Sequence, residues 1–331
     1  MPTESFSMAR ATVVGSYPRV GDTADEQRLR RAVARFEEGK IPEAELREVE
    51  RSVAADVIRE QVGAGIALPT DGQVTWYDSQ SHFTRRLEGF EVNGLVRYFD
   101  TNTYYRQPVV TGAIQWREPI VVDEWRHAAS IASGPVKAVL TGSYTLATLA
   151  KADSHEVNRL TREIADALAS EVRALRSAGA THIQIDEPAI TRSPKDVSLV
   201  RRGIEILASE KGSASLSLFI YFGDVALILK DLASLPIDNL GLDLVQGAAN
   251  WDAIAKTSPT VPLTFGVVDA RNTKRDDPQR LAQSVLGLRG HAPIEESYVS
   301  PSNGLEFLPR EKAREKLGLV VETAKLVEAG L

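Results

Sequence analysis

The chain contains no cysteine in 331 residues. Disulfides, thiolate metal sites and a cysteine nucleophile are therefore excluded. No apolar run approaches the roughly 20 residues of a membrane-spanning helix, so no membrane partner is expected. The first ten residues, MPTESFSMAR, hold no long apolar core and do not read as a signal peptide. A cytoplasmic protein is the expectation. No basic run stands out and the net charge is −6, which argues against nucleic acid as a partner. A Gly-rich phosphate loop, a dinucleotide fingerprint and a serine nucleophile elbow are all missing. The five histidines, His82, His127, His155, His182 and His291, show no ligand spacing. A tetrahedral zinc site of N and S ligands is not expected, and nothing supports an oxygen-ligated magnesium site among the acids.

What is present is an ordinary soluble composition, 43% hydrophobic and 25% charged. Short apolar runs recur at 11–15, 66–69, 136–140, 182–186, 216–221, 240–244, 263–268 and 298–300. Helical sequence follows each of them. Charged helices are expected over 24–38 and 43–62 after the first run. A long one is expected over 155–178, and others over 123–132, 195–210, 225–234, 250–256, 277–288 and 309–329. Alternating strands and helices imply a parallel sheet, and eight units imply a closed (β/α)8 TIM barrel. The expectation is a single barrel domain over 1–331. It carries a helical extension after the first strand and an inserted β-rich segment, about 89–123, after the second. That segment includes Ile120-Val121-Val122 among its β pieces.

In such a barrel the chemistry lies at the carboxyl ends of the strands. The organising stretch is His182-Ile183-Gln184-Ile185-Asp186-Glu187-Pro188. Pro188 lacks an amide hydrogen, so the strand ends there with two carboxylates at its rim. The alternative for Asp186 or Glu187 is a helix N-cap. Other ends carry Ser16, Arg19, Asp71, Gln73, Tyr221, Asp224, Asp243, Asp269, Arg271 and Asn303. Helix capping is the plain alternative for Asp224 and Asp269. Together the ends suggest a polar site for a ligand with amino, carboxylate or amide groups. Acid/base candidates are Asp71, Asp186 and Asp243. Substrate-contact candidates are Ser16, Gln73, Glu187, Tyr221, Asp269, Arg271 and Asn303.

The chain resembles the cobalamin-independent methionine synthases, whose enzymes join two related (β/α)8 barrels. The likeness covers nearly the whole chain and is greatest to the amino-terminal barrel. It rests on Tyr17-Pro18-Arg19-Val20-Gly21, Leu29-Arg30-Arg31-Ala32, Trp76-Tyr77-Asp78 and Tyr98-Phe99-Asp100-Thr101-Asn102. It continues through Gln184-Ile185-Asp186-Glu187-Pro188, Tyr221-Phe222-Gly223-Asp224, Gly241-Leu242-Asp243-Leu244-Val245 and residues 266–272. The tail over 300–310 looks more like the short, single-barrel members.

The resemblance implies methyl transfer from 5-methyltetrahydrofolate to the homocysteine thiol, which zinc activates in the family's other barrel. The positions aligned with the zinc ligands here are Phe219, Tyr221, Asp243 and Asn303 (Ser302 if the gap moves by one), so the zinc mechanism does not carry over. The resemblance places Ser16 and Asp186 at the amino-acid substrate, with Gln73 replacing a Glu. It places Arg30 and Arg31 near the anionic folate tail, against the alternative of a solvated helix face. Arg19, Trp76 and Tyr77 complete the donor-binding candidates. The expected protein is therefore a zinc-free relative that binds a methylated folate and works with a separate zinc-bearing barrel. The alternatives are a metal-free lyase or decarboxylase on the same barrel, or a non-catalytic subunit.

Overall fold

The computed structural model describes residues 10–331. In chain order its strands are β1 (Arg10–Ala11), β2 (Leu87–Arg97), β3 (Tyr104–Trp116), β4 (Lys137–Thr141), β5 (His182–Asp186), β6 (Ser215–Ile220), β7 (Asn239–Asp243), β8 (Leu263–Val268) and β9 (Tyr298–Pro301). Seven of them make one sheet in the order β1-β9-β8-β7-β6-β5-β4, with every pairing parallel. The gap between β1 and β4 is bridged by the second apolar run. Leu68 pairs with Thr12. The Ala67 amide donates to the Ala11 carbonyl at 3.0 Å, and the Lys137 amide donates to the Pro69 carbonyl at 2.9 Å. These contacts close the ring. The run 66–69 is thus a bridge and not a full strand, because Pro69 has no N–H to extend the ladder.

The helices are α1 (Arg28–Glu37), α2 (Glu43–Ala64), α3 (Ser81–Thr84), α4 (Val122–Ile131), α5 (Ser143–Leu149), α6 (Val157–Ala178), α7 (Val197–Glu210), α8 (Leu229–Ala233), α9 (Ala249–Thr257), α10 (Pro278–Leu286) and α11 (Arg310–Gly330). Among the described residues, no helix is long and apolar enough to cross a membrane. Strands β4, β7 and β8 are buried along their whole length. Helices cover one face and the barrel interior takes the other, which is why these strands read as near-continuous apolar runs.

Further expectations change, among them the helix expected over 225–234, which forms only as α8. The β piece Ile120-Val121-Val122 is the entry to α4. The amides of Ile120 and Val121 donate to the buried Glu171 carboxylate, each at 2.8 Å, so they need no strand partner. The helix expected from residue 24 starts at Arg28, after turns. The seven-residue α5 was not expected at all. The inserted segment is an antiparallel hairpin of β2 and β3, anchored where the Arg106 amide donates to Asp78 at 3.1 Å.

Candidate functional site: an acidic, aromatic cavity at the carboxyl rim

Side chains alternate along a strand, so Gln184 and Asp186 share the face opposite Ile183 and Ile185. Gln184 Nε2 donates to the Val14 carbonyl and to Asp186 Oδ1, both at 2.7 Å. Asp186 Oδ2 accepts from the Tyr221 hydroxyl at 3.4 Å. Below them the buried Lys137 Nζ donates to the Val13 carbonyl at 2.7 Å. Burial pushes the Asp186 carboxyl up to about 7, against the Gln184 hydrogen bond and the Lys137 charge. Burial also pushes Lys137 down to about 7, with Asp186 opposing.

Asp186 opens into a cavity of about 390 Å³. Ser16, Arg19, Gln73, Trp76, Tyr77 and Tyr221 line it as well. This volume suits a small metabolite. Ser16 donates to Gln73 Oε1. Arg19 is held by the Trp76 carbonyl at 2.8 Å and its guanidinium lies 5.3 Å from the Tyr77 ring. Trp76 stacks on His82 at 4.7 Å, so one face of the indole is already covered. Tyr77 stays 41% exposed and is the more open aromatic surface at the mouth. Tyr17 is fixed from behind. Its hydroxyl donates to Glu60 at 2.9 Å, and the buried Arg310 of α11 holds Glu60 at 2.9 Å. Gln73 has φ +53° and Phe222, next to Tyr221, has φ +70°. Non-glycine residues rarely adopt this backbone, and such strain concentrates at functional sites.

Several lining residues escaped the sequence reading as site residues, Asp78, Ser79, Tyr98 and Glu306 among them. Tyr98, from the hairpin, brings a buried hydroxyl beside those of Ser79 and Tyr221. Glu306, from the turn after β9, joins Asp186 and Asp78 as a third carboxylate. Glu306 is exposed as a residue, and where its carboxyl meets the cavity, desolvation and the Asp186 charge push it upward. The signal was an acid set among Leu305, Phe307 and Leu308, apolar neighbours that anchor a turn.

The remaining candidates lie outside this cavity. Glu187 points the other way from Asp186. It accepts the amides of Tyr144 (2.9 Å) and Thr145 (2.7 Å) and the Thr145 hydroxyl (2.6 Å). It therefore caps α5, an earlier helix, not the segment that follows it. The approach is close, since a Cβ on Gly142 would stand 2.2 Å from the Glu187 carboxyl. Asp71 faces a separate cavity of about 450 Å³ with Arg47, Glu50, Arg86 and Glu124. Asp269 accepts the Arg271 amide at 2.9 Å within its own loop, and the Arg271 guanidinium lies 5.8 Å from the Phe222 ring. Arg30 and Arg31 are exposed on α1 and line neither cavity.

The positions aligned with zinc ligands do not suit that metal. Phe219 has no donor atom, and its ring packs where a Cβ on Gly241 would stand only 2.2 Å away. Tyr221 turns its hydroxyl to Asp186. Asp243 is fully buried, with Oδ1 accepting the amides of Val245 (3.0 Å) and Gln246 (2.8 Å) and Oδ2 that of Phe222 (3.1 Å). Held by three amides and absent from the cavity lining, Asp243 is not placed to act as an acid or base there. Asn303 is buried and donates to Ser302 at 3.1 Å. A ring, a phenol, an amide and a carboxylate held by three N–H groups are poor company for Zn²⁺.

The family model described as "Cobalamin-independent synthase, N-terminal domain" matches residues 89–293. The chain is 32% identical over 325 residues to a methionine synthase of Saccharolobus solfataricus, covering 97% of this chain and 95% of that one. It is 28% identical over 324 residues to a methionine synthase of Thermococcus kodakarensis, covering 97% and 94%. In fold it is similar to a B12-independent methionine synthase from Shewanella sp. W3-18-1, solved in complex with selenomethionine. The TM-score is 0.81, at 18% identity and 98% coverage of both chains.

Proposed function

Because this chain belongs to the cobalamin-independent methionine synthase family, we propose that its rim cavity binds a small amino acid bearing a thiol or thioether, in the service of methyl transfer to homocysteine. One observation carries the reading. Ser16, Gln73 and Asp186, the three positions that the resemblance assigns to the amino-acid substrate, line one cavity although they come from three distant segments of the chain. In this reading the chain works as one barrel domain. The methyl group comes from a methylated folate, and the zinc that activates the thiol resides on a separate barrel, because the described residues offer no matching donor set. Arg30 and Arg31 would meet the anionic tail of the folate as it leaves the barrel rim.

The test is calorimetric titration of the metal-stripped chain with homocysteine, methionine and 5-methyltetrahydrofolate, as mono- and triglutamate. Micromolar binding is expected, with the triglutamate tighter. Arg30→Ala/Arg31→Ala should erase that preference, a loss of up to about tenfold for two exposed charge contacts. An unchanged preference would remove the two arginines from the reading, and no binding of either amino acid would overturn it.

The pH dependence has a definite sign. Burial pushes the Asp186 carboxyl up to about 7 in the free protein. An ammonium ligand needs it ionised, so affinity should hold above pH 7. It should fall below pH 7 by about tenfold per pH unit as Asp186 takes up its proton. A flat profile between about pH 5.5 and 8 would count against an ammonium at Asp186. Asp186 and Glu306, close to the hydroxyls of Tyr98 and Tyr221, favour a second reading as a metal-free proton-transfer enzyme. Turnover of small carboxylic acids by the isolated chain would select it.

A further inference from the structure

We propose that Glu306 is the second half of an ammonium-binding pair with Asp186 and so determines specificity for amino acids over their desamino analogues. The proposal rests on the amino-acid reading of the cavity and extends it to a residue outside the aligned positions.

Glu306 lies in the short turn Leu305–Phe307 that follows β9. The Leu305 amide donates to the Ser16 carbonyl at 2.9 Å, and the Leu305 side chain is buried. The turn is thereby fixed to the loop after β1, and its carboxylate opens into the cavity that holds Asp186. Among the described residues, no cation pairs with Glu306 and no other residue donates a hydrogen bond to it. Asp186, by contrast, has the charge of Lys137 beneath it and a hydrogen bond from Gln184. Lys137 offsets part of the Asp186 charge, and Asp78, the third carboxylate of the wall, is taken by the amides of Gln80, Ser81 and Arg106, so Glu306 is the carboxylate of the cavity without a partner. Arg19 is the cation of the cavity wall and is already held by the carbonyls of Val74 and Trp76.

The Tyr98 hydroxyl supplies an independent observation. Tyr98 is only 9% exposed, lines the same cavity, and its hydroxyl lies beside those of Ser79 and Tyr221 and near both acids. Its phenolic oxygen can accept from a ligand N–H. An ammonium has three N–H donors and no acceptor. Two carboxylates and a phenolic oxygen match that count. A carboxylate or phosphate ligand would instead meet two like charges, and a neutral thioether would leave both acids unpaired. Arg19 remains for the carboxylate of the amino acid.

The experiment is calorimetric titration of the full chain and its Glu306→Gln variant with L-methionine and with 4-(methylthio)butanoate, which lacks the amine. Thermal melting serves as the folding control. Gln keeps the shape and removes the charge. The parent should bind methionine at least tenfold more tightly than the desamino compound. The variant should lose ten- to a hundredfold in methionine affinity, bind the desamino compound as well as the parent or better, and melt normally. Glu306→Asp should retain part of the methionine preference. Normal methionine binding by Glu306→Gln would overturn the role of Glu306 while leaving the amino-acid reading intact. Failure of the parent to bind methionine at all would overturn both.

Discussion

Replacing Asp186 with Asn is expected to weaken methionine binding by at least about thirtyfold and to leave the protein as stable as the parent, or more stable. The affinity loss follows from removing one charge of a buried, hydrogen-bonded pair, a change that costs about 2–5 kcal/mol in binding. The stability effect has the opposite sign. The folded protein raises the Asp186 carboxyl from its ordinary 3.8 to about 7, chiefly by burial. A carboxyl raised on folding binds its proton more tightly in the folded state. Its contribution is therefore neutral below about pH 4, turns unfavourable as pH rises from about 4 to 7, and reaches its full cost above 7. That cost is at most about 4 kcal/mol, since each tenfold gain in proton affinity on folding is worth about 1.4 kcal/mol. Asn cannot ionise, and it can still accept from Gln184. The melting temperature of Asp186→Asn should match the parent at about pH 4 and equal or exceed it at about pH 8. A variant that melts lower at the higher pH would make Asp186 a structural residue and detach it from ligand binding.

Glu187→Ala should do the reverse, and its effect on stability should be the larger of the two. The carboxylate is 1% exposed and accepts three hydrogen bonds from Tyr144 and Thr145. Alanine would strand two buried amides and a hydroxyl at the start of α5. Each stranded group costs about 1–3 kcal/mol, so the expected loss is about 3 kcal/mol or more. Chemical denaturation of the variant beside the parent measures it directly. Methionine affinity of the folded fraction should stay within about threefold of the parent, because Glu187 does not line the cavity. A stable Glu187→Ala protein that no longer binds would reverse the assignments of these two neighbours.

The barrel was legible because its physics is local. Parallel strands covered on both faces become apolar runs, and the runs at 182–186 and 263–268 match β5 and β8 to the residue. Helices with a sustained apolar stripe were equally plain, as in α6 and its Gly179 stop with φ +104°. Segments held by one distant side chain were not plain. Residues 120–122 look like a strand, yet Glu171 takes the amides of Ile120 and Val121. Helix α5 is short and owes its start to Glu187. Asp71 and Asp243 sit at strand ends as a catalytic residue would. One faces a separate charged cavity beside α2, and the other is consumed by backbone amides.

By itself the sequence determined the parallel barrel, the rim as the place of chemistry, and Asp186 as a residue held there. Period-two alternation even implies that Asp186 and Glu187 point apart. Only the tertiary structure decided which of them meets the cavity. It also decided that Glu306 joins Asp186, because the turn carrying Glu306 is fixed by a hydrogen bond to Ser16 near the other end of the chain. A contact of that kind depends on closure of the whole ring, which brings β9 beside β1, and no local pattern encodes it.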